Sequence, residues 1–137
     1  MLQAKDIMHP RCSIMAKERG EELVRKMLCE YPALPVINEN LEVVGVVSEH
    51  DILFSLKEGR TIHEFDAETV MTSPALTVTT DTPVDQIMEM MVSRQLTMVP
   101  VVAKGNSQLV GVISRKNIIN ATAEYGFWPE HEFKKRV

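Results

Sequence analysis

Two corners of the chain carry polar residues whose types and spacing could recognise a nucleotide. Each has a serine directly after an apolar run and a second polar residue three positions later, Ser48 with Asp51 and Ser114 with Asn117. A serine that opens a helix caps backbone N–H groups, and an acid three residues on completes a capping box. The same geometry offers N–H donors to a phosphate and a carboxylate to the hydroxyls of a ribose. Capping alone would explain one such corner, so it is the recurrence that favours a ligand site.

The residues that follow each serine differ in charge. Glu49 and His50 fill the first corner, whereas Arg115 and Lys116 fill the second. Exposed charges at a helix start usually face only solvent. If they face a cleft instead, the second corner suits a phosphate better than the first, because arginine and lysine form charge-assisted hydrogen bonds with phosphate oxygens.

An internal repeat explains why the corners recur. Gly45 and Gly111 are 66 positions apart, as are the two serines, and Pro35 and Pro100 are 65 positions apart. The openings "DIMHP" and "TVMTSP" match at an offset of 63 to 64 positions. Such a repeat predicts two similar structural units that share one core. We place the boundary between residues 1–64 and residues 65–137.

Each unit is predicted to have the order β-α-β-β-α. A short extended piece precedes an amphipathic helix, and two strands joined by a tight turn lead into a second helix. In the second unit Thr82, Pro83 and Asp85 predict a capped start for the first helix, followed by apolar residues at helical spacing from Val84. The glycine within each last strand predicts a bulge or the close approach of other backbone.

Composition and charge narrow the class of protein. The chain has 137 residues, a formal net charge of -4 and a sequence pI near 5.6. This acidic balance argues against a nucleic-acid or anionic-membrane surface. No apolar run reaches the ~18 residues of a membrane span and no signal-peptide pattern opens the chain, so we expect a cytoplasmic protein. Cys12 and Cys29 lack the spacing of a zinc site, which favours reduced thiols.

Several segments together resemble a known family. "VGVVSEHD" and "VGVISRKN", with "LPVI", "VPVV", "MHP" and "MTSP", resemble the CBS motif, and two motifs in tandem resemble a Bateman module. The resemblance extends over about residues 4–123. It implies an α+β fold in which two β-α-β-β-α motifs pack through their sheets with pseudo-two-fold symmetry. It also implies a regulatory module, usually a homodimer, that binds an adenine nucleotide (AMP, ADP or ATP) or a related adenosyl ligand in the clefts between the motifs.

The resemblance also implies which residues bind the ligand. Ser48 and Ser114 match the phosphate side of two sites, and Asp51 and Asn117 match the ribose side. The base is expected against backbone and apolar side chains, and the matching positions in one site are Cys12, Ser13, Ile14, Leu34, Pro35 and Val36. The matching positions in the other site are Leu76, Thr77, Val78, Val99, Pro100 and Val101. Apolar strand residues belong more often to a core than to a pocket, so both interpretations stay open for these positions.

Helical faces that one module cannot bury predict a homodimer. Two such faces, related by the repeat, carry Leu53, Phe54, Leu56, Ile118, Ile119 and Ala121. Three aromatic residues of the tail are expected to lie over this interface: Tyr125, Phe127 and Trp128.

Three functions of different classes remain. A ligand-sensing module would act on a separate effector protein in trans, since no effector domain is visible in the sequence. A structural dimerisation module would have lost its ligand, and a small enzyme would use the clefts for nucleotide chemistry. P-loop, GxGxxG, G-x-S-x-G and H-E-x-x-H patterns are missing, and "HEFD" at 63–66 is typical of plain surface rather than of a metal site. We therefore expect no enzyme activity and no required cofactor, with the nucleotide as a regulatory ligand.

Overall fold

The elements confirm the predicted α+β fold. The computed structural model describes residues 2–10, 12–29 and 31–125. The elements in chain order are α1 (Ala4–Ile7), β1 (His9–Pro10), β2 (Ile14–Met15), α2 (Gly20–Cys29), β3 (Ala33–Ile37), β4 (Val43–Ser48), α3 (Glu49–Lys57), α4 (Ala67–Val70), β5 (Val78–Thr79), α5 (Val84–Ser93), β6 (Met98–Val102), β7 (Leu109–Ser114) and α6 (Arg115–Tyr125). Both β-α-β-β-α units of the repeat are present, and the short elements α1, β1 and α4 precede them.

The two sheets are built alike. In the first sheet β2 runs parallel to β3, and β3 runs antiparallel to β4. In the second sheet β5 runs parallel to β6, β6 runs antiparallel to β7, and β1 adds a fourth strand beside β7. Both hairpins shift register at the same place, between Val36 and Ile37 and between Val101 and Val102. The pseudo-two-fold relation therefore extends to the details of strand pairing.

The central strands β3 and β6 are buried on both faces. All five residues of each strand are buried, as expected for apolar runs without polar alternation. The sheets pack against each other through buried residues from both repeats: Ala33, Ile37, Met98, Leu109 and Val112. The other buried side chains form two separate cores, one in each repeat. The two motifs thus pack through their sheets, as the resemblance implied.

The opening segment of each repeat packs on the other repeat. Residues 2–10 pair with β7 and pack on the second core. Residues 65–72 pack on the first core and pair with β4 through a bridge between Val46 and Thr72. The proposed division at residue 64 separates the sequence repeats, whereas each packed half takes its opening segment from the other repeat. We call residues 2–10 and 65–72 the exchanged segments.

The exchange explains the glycine in each last strand. A Cβ added to Gly45 would lie 2.5 Å from Met71 Sδ, and one added to Gly111 would lie 2.7 Å from Met8 Sδ. Real Cβ atoms do not approach other atoms so closely, so the methionine of each exchanged segment occupies the space that a side chain would need. The predicted close approach of backbone is also confirmed, since the same Cβ atoms would lie 2.9 Å from the carbonyl oxygen of Thr72 and 2.8 Å from that of His9.

The predicted cap of α5 is wrong. The helix begins at Val84 after Pro83, which offers no side-chain hydrogen bond. Thr82 Oγ1 instead accepts from the N–H of Thr79 at 3.1 Å, within the preceding turn. The Val84 N–H donates to the carbonyl of Leu2 at 2.9 Å. An exchanged segment thus supplies the acceptor that local sequence was expected to supply.

Apolar side chains of α3 and α6 remain exposed. Leu53, Phe54 and Ile119 are 64%, 56% and 66% exposed. Ile118 and Ala121 were predicted to lie on the same exposed face, and this is wrong, because they are only 7% and 2% exposed. Both side chains point inward from α6 and help to fill the second half.

The end of the chain lies outside the described residues. This applies to Phe127, to Trp128 and to the side chain of Tyr125, so their place over an interface stays a prediction. Within residues 2–10, 12–29 and 31–125 no helix is long and apolar enough to cross a membrane.

Candidate functional site

The first corner joins β4 to α3 through a complete capping box. The N–H and the hydroxyl of Ser48 donate to Asp51 Oδ2 at 2.8 and 3.0 Å, and the Asp51 N–H donates back to Ser48 Oγ at 3.2 Å. The other carboxylate oxygen, Oδ1, accepts from the hydroxyl of Thr72 at 3.1 Å. A carboxylate accepts about four hydrogen bonds. Asp51 therefore keeps one acceptor position, on Oδ1, for a ligand hydroxyl.

The second corner keeps the cap but not the carboxylate. The Ser114 N–H donates to Asn117 Oδ1 at 2.7 Å, and the Asn117 N–H donates to Ser114 Oγ at 3.3 Å. Asn117 is 7% exposed and thus buried, whereas Asp51 is half-buried. His9 stands in the place of Thr72, because each pairs with the equivalent residue of the neighbouring strand. The second corner therefore replaces both the acid and its hydroxyl partner.

The first backbone amides of α3 and α6 are engaged within the protein. The Glu49 N–H donates to the carbonyl of Pro32 at 3.2 Å, and the Arg115 N–H donates to that of Thr97 at 3.4 Å. The third amide of each helix donates to the capping serine. A phosphate at either corner therefore depends more on cationic side chains than on free N–H groups of the helix end.

A cavity of about 640 Å³ opens at the first corner, and we call it the first cleft. Its walls are the corner itself with residues 48–51, the connection at Thr72 and residues 74–76, and residues 94–98 before β6. The carboxylates of Glu49 and Asp51 and the guanidinium of Arg94 belong to this lining. One repeat thus supplies the corner, and the other supplies most of the opposite wall.

A cavity of about 590 Å³ opens at the second corner, and we call it the second cleft. Its walls are Ser114, Lys116 and Asn117 of the corner, His9, Pro10 and Cys12 near the start of the first repeat, and residues 31–33 before β3. Among the described residues of this lining, Lys116 is the charged side chain and no carboxylate is present. Pro32 and Met98 line both clefts, so the two cavities share a wall.

Most of the predicted base-side residues lie in the cores. Six of them are at most 5% exposed: Ile14, Leu34, Val36, Val78, Val99 and Val101. Pro35 and Pro100 are buried in the central strands, Thr77 is exposed, and Ser13 lines a separate cavity. Of the twelve positions, Leu76 lines the first cleft and Cys12 lines the second. For the six core residues, contact with a ligand stays a prediction, and their burial supports the core interpretation instead.

The two basic residues of the second corner point to different places. Arg115 Nε donates to the carbonyl of Leu96 at 2.9 Å, and Leu96 belongs to the wall of the first cleft. Lys116 lines the second cleft. Consecutive residues of a helix point about 100° apart, so neighbours in sequence need not share a site.

The sequence-based prediction missed the residues that reach the clefts from other elements. Thr72 and His9 come from the openings of the repeats, and Arg94 comes from the end of α5. The match of "DIMHP" to "TVMTSP" sets Thr72 and His9 at equivalent positions, so a signal for these two was present. Nothing in the sequence indicates that each opening crosses to the other repeat.

The Cys12 thiol and the possible metal ligands bear on the chemistry that is available at the clefts. Burial raises the pKa of the Cys12 thiol above its ordinary value, although nearby Lys26 lowers it somewhat. The thiol at the wall of the second cleft is therefore protonated at neutral pH. Within residues 2–10, 12–29 and 31–125 no group of three or more His, Cys, Asp or Glu side chains is placed to hold a metal ion.

Similar proteins include one curated sequence and many solved structures. An uncharacterised protein of Methanopyrus kandleri is 27% identical over 101 residues, which are 73% of this chain and 51% of that protein, so the chain spans about half the length of this relative. CBSX2 in complex with AMP matches with a TM-score of 0.79 at 21% identity, over 93% of this chain and 100% of the other. A CBS domain pair in complex with 5-methylthioadenosine and S-adenosyl-L-methionine matches with a TM-score of 0.77 at 23% identity, over 91% and 98%.

At these identities the solved structures establish the fold, and the sequence itself establishes the family. The model of the CBS domain matches twice, at residues 4–58 and at residues 67–124. Each match contains one strand glycine and one serine corner, and the two together cover more than half of the chain. The chain therefore belongs to the CBS domain family and contains two CBS domains in tandem.

Proposed function

We propose that the protein is a regulatory module that binds an adenine nucleotide or a related adenosyl ligand in its two clefts and acts on a separate effector protein. The observation that carries this proposal is the pair of cavities of about 640 and 590 Å³, each built by a serine corner and by residues of the other repeat. Ligand pockets typically measure about 300–1,000 Å³, so each cleft has room for one nucleotide. Similar folds in complex with AMP and with S-adenosyl-L-methionine support this ligand class.

In the first cleft, Asp51 is the acceptor for the sugar. Its Oδ1 has one free acceptor position beside the Thr72 hydroxyl, which suits one ribose hydroxyl. Arg94 and His50 line the same cavity, where Arg94 supplies positive charge and the His50 imidazole supplies an N–H donor for a phosphate. The apolar side chain of Leu76 offers a surface for the base.

In the second cleft, Lys116 is the main ligand of the phosphate. With no carboxylate among the described lining residues, the cleft favours an anionic group, and the His9 imidazole adds an N–H donor. Tyr31 and Pro32 offer flat surfaces against which a base can stack. The second cleft is therefore the better site for a nucleotide with several phosphates.

The module acts by changing conformation or contacts when ligand binds, without chemical turnover. CBS pairs are generally regulatory, and the Ser48 hydroxyl and the Asp51 carboxylate at the first corner are engaged with each other as a helix cap. We propose further that the effector is a separate protein and that this regulation takes place in the cytoplasm.

Thermal unfolding with a ligand panel tests the proposal. AMP, ADP, ATP, adenosine and S-adenosylmethionine are each added to the purified protein, with triphosphate and ribose 5-phosphate as controls that lack the base. A ligand at a hundred times its Kd raises the free energy of unfolding by about 2.7 kcal/mol, so at least one adenosyl ligand should raise the Tm by several degrees. Failure of all five to bind at millimolar concentration would overturn the proposal, and chromatographic detection of turnover would overturn its non-enzymatic part.

A homodimer is the second part of the proposal. Leu53, Phe54 and Ile119 are more than half exposed on helices of both repeats, and apolar surface of this kind usually belongs to an interface. Light scattering at micromolar protein concentration without ligand should give the mass of a dimer, and Leu53→Asp with Phe54→Asp should give a monomer. A monomeric wild-type protein contradicts this part. A dimer that binds none of the five ligands would instead support a structural dimerisation module.

A further inference from the structure

Both cysteines of the chain line one cavity. Cys12 and Cys29 are 17 positions apart in the sequence, and both border a cavity of about 430 Å³ that we call the thiol cavity. Cys12 and Tyr31 also line the second cleft. The thiol cavity therefore adjoins the second cleft and shares part of its wall, although nucleotide binding gives no role to a pair of thiols.

A hydrogen bond ties together the two segments that carry the cysteines. Lys26 Nζ donates to the carbonyl of Ser13 at 2.7 Å in a partly buried position. Ser13 directly follows Cys12, and Lys26 lies three residues before Cys29 on α2, so Lys26 and Cys29 share one helix face. This contact joins the segments that carry the two cysteines at the cavity that both cysteines line.

The two thiols differ in access to solvent. Cys29 is exposed at the last residue of α2, whereas Cys12 is half-buried. A small reagent therefore meets Cys29 first, and Cys12 is positioned to react in a second step. Arg25 and Lys26 line the thiol cavity, and no carboxylate belongs to its described lining. Arg25 is paired with Glu22 at 2.6 Å, so Lys26 is the cation that would attract an anionic reagent.

We propose that the thiol cavity is a modification site at which an anionic low-molecular-weight disulfide, RSSR, oxidises Cys12 and Cys29 to an intramolecular disulfide. The Cys29 thiolate attacks one sulfur of RSSR, forms Cys29–S–S–R and releases RS⁻. Cys12 then loses its proton to solvent and attacks the Cys29 sulfur, and a second RS⁻ leaves with the bonding electron pair. Two protein thiols are oxidised, and one RSSR is reduced to two thiols.

Formation of the disulfide has a structural consequence for one cleft alone. A disulfide requires Cα atoms about 4.4–6.8 Å apart, so the last turn of α2 closes on Cys12 across the cavity. This closure changes the shared wall at Cys12 and Tyr31 and with it the second cleft, whereas neither residue lines the first cleft. The effect on ligand affinity rests on the proposed function, but the oxidation itself does not.

Incubation of the intact protein with oxidised glutathione, followed by mass spectrometry, tests the oxidation. The wild type should lose two hydrogen masses and both free thiols, and peptide mapping should find Cys12 joined to Cys29. Cys12→Ser should keep one glutathione on Cys29, and Cys29→Ser should react much more slowly. Two unreacted thiols, a lasting glutathione adduct on the wild type, or a disulfide between two chains would overturn the proposal. The wild-type map decides the question even if a variant fails to fold.

Charge selection provides a matched control. Hydroxyethyl disulfide, which is neutral, should react several-fold more slowly than oxidised glutathione, and Lys26→Gln should remove most of this difference. Equal rates for the two reagents with the wild type would contradict the preference for an anionic reagent.

Calorimetry with ATP then separates this inference from the proposed function. The oxidised protein should show a change of about tenfold or more in affinity at one class of site and no change at the other. Unchanged binding at both sites would overturn the link to the second cleft. If the reduced protein binds no ligand at all, the proposed function fails, while the mass-spectrometric result still stands.

Discussion

The two clefts share one backbone arrangement but are lined by different side chains. Each is closed by a serine cap, by an exchanged segment and by the residues before a central strand. The first holds the carboxylate of Asp51 against the Thr72 hydroxyl, whereas the second holds Asn117 and His9 at the same places and adds Lys116. Under the proposed function, a few side chains on a shared scaffold would therefore convert a site for sugar hydroxyls into a site for phosphate.

The comparison also shows positions at which packing or capping requires the same residue in both repeats. Gly45 and Gly111 both receive a methionine from an exchanged segment, and no side chain fits at either position. Ser48 and Ser114 both cap a helix. Packing and capping account for the shared residues at these four positions, whereas the corners differ at Asp51 and Asn117 and at the charged residues before them.

The largest expected effect concerns the phosphate side of the second cleft. Lys116→Ala should weaken ATP binding by about 1.5–3 kcal/mol, because a charge-assisted hydrogen bond is lost, and it should leave adenosine binding nearly unchanged. Arg115→Ala is the matched control, since its guanidinium is engaged with Leu96. Calorimetry with both ligands measures the difference. Equal losses for ATP and adenosine, or a larger effect from Arg115, would remove the distinction between the clefts.

The second-largest expected effect concerns Asp51, the proposed sugar acceptor of the first cleft. Asp51→Ala should cost ~1–3 kcal/mol of affinity for ATP and for adenosine alike, since the acceptor serves the ribose of both. It should also cost about 0.5–2 kcal/mol of stability through the lost cap. Asn117→Ala removes the corresponding cap in the second half and is the control for stability. If Asp51→Ala unfolds earlier but binds as tightly as the wild type, Asp51 is a helix cap without a role in binding.

A smaller effect should come from the partner of that carboxylate. The Thr72 hydroxyl holds Asp51 Oδ1 at 3.1 Å, so Thr72→Val leaves the carboxylate free to turn. We expect adenosine affinity to fall by about 0.5–1.5 kcal/mol, the typical contribution of one hydrogen bond. Tighter binding by the variant would show that Thr72 competes with the ligand for Oδ1.

The smallest effect concerns the turns before α5 and α2. Asp81 accepts from the Thr79 hydroxyl at 2.6 Å and from Lys104 Nζ at 2.9 Å, and these contacts lower its pKa to about 2. The equivalent turn of the first half instead pairs Lys17 with Glu68, which raises the pKa of Lys17. A depressed carboxyl pKa stabilises the fold above its ordinary value near 3.8 and loses this effect as the pH falls through about 2.

The corresponding measurement is the Tm as a function of pH. Asp81→Asn should be slightly less stable than the wild type at pH 7, and the two should converge between about pH 4 and pH 2. Lys104→Ala should lose part of the same effect. A constant difference in Tm across this range would show that the pair contributes nothing through its charge.

The fold was largely predictable because its signals are local. Helical spacing from Val84, apolar runs at β3 and β6 and turn residues between strands each depend on a few neighbouring residues. The exchange was not predictable in this way, since Met8 meets Gly111 across most of the chain. The strand glycines revealed that something approaches closely, but a glycine does not identify its partner.

In the candidate site, too, the parts with local sequence signals were predictable and the parts formed by long-range packing were not. The sequence predicted the corners at Ser48 and Ser114, because the capping serine and its polar partner, Asp51 or Asn117, lie within one helical turn. The sequence does not show which strand residues line a cleft and which belong to a core, because β3 and β6 are apolar at every position and buried on both faces. Arg94 was not predicted as a site residue, because only the packing of the repeats brings the end of α5 to the first corner.

The exchanged segments close chain loops of different length in the two halves. Thr72 pairs with a residue only 26 positions earlier, at Val46, whereas His9 pairs with Val112, 103 positions later. Each doubling of a closed loop costs about 0.6 kcal/mol of entropy, so the second closure costs about 1.2 kcal/mol more. The first half can be complete once residue 72 has left the ribosome. Residues 2–10 can pair only after β7 has been synthesised, and deletion of residues 2–10 should therefore damage the half of the molecule that contains β7.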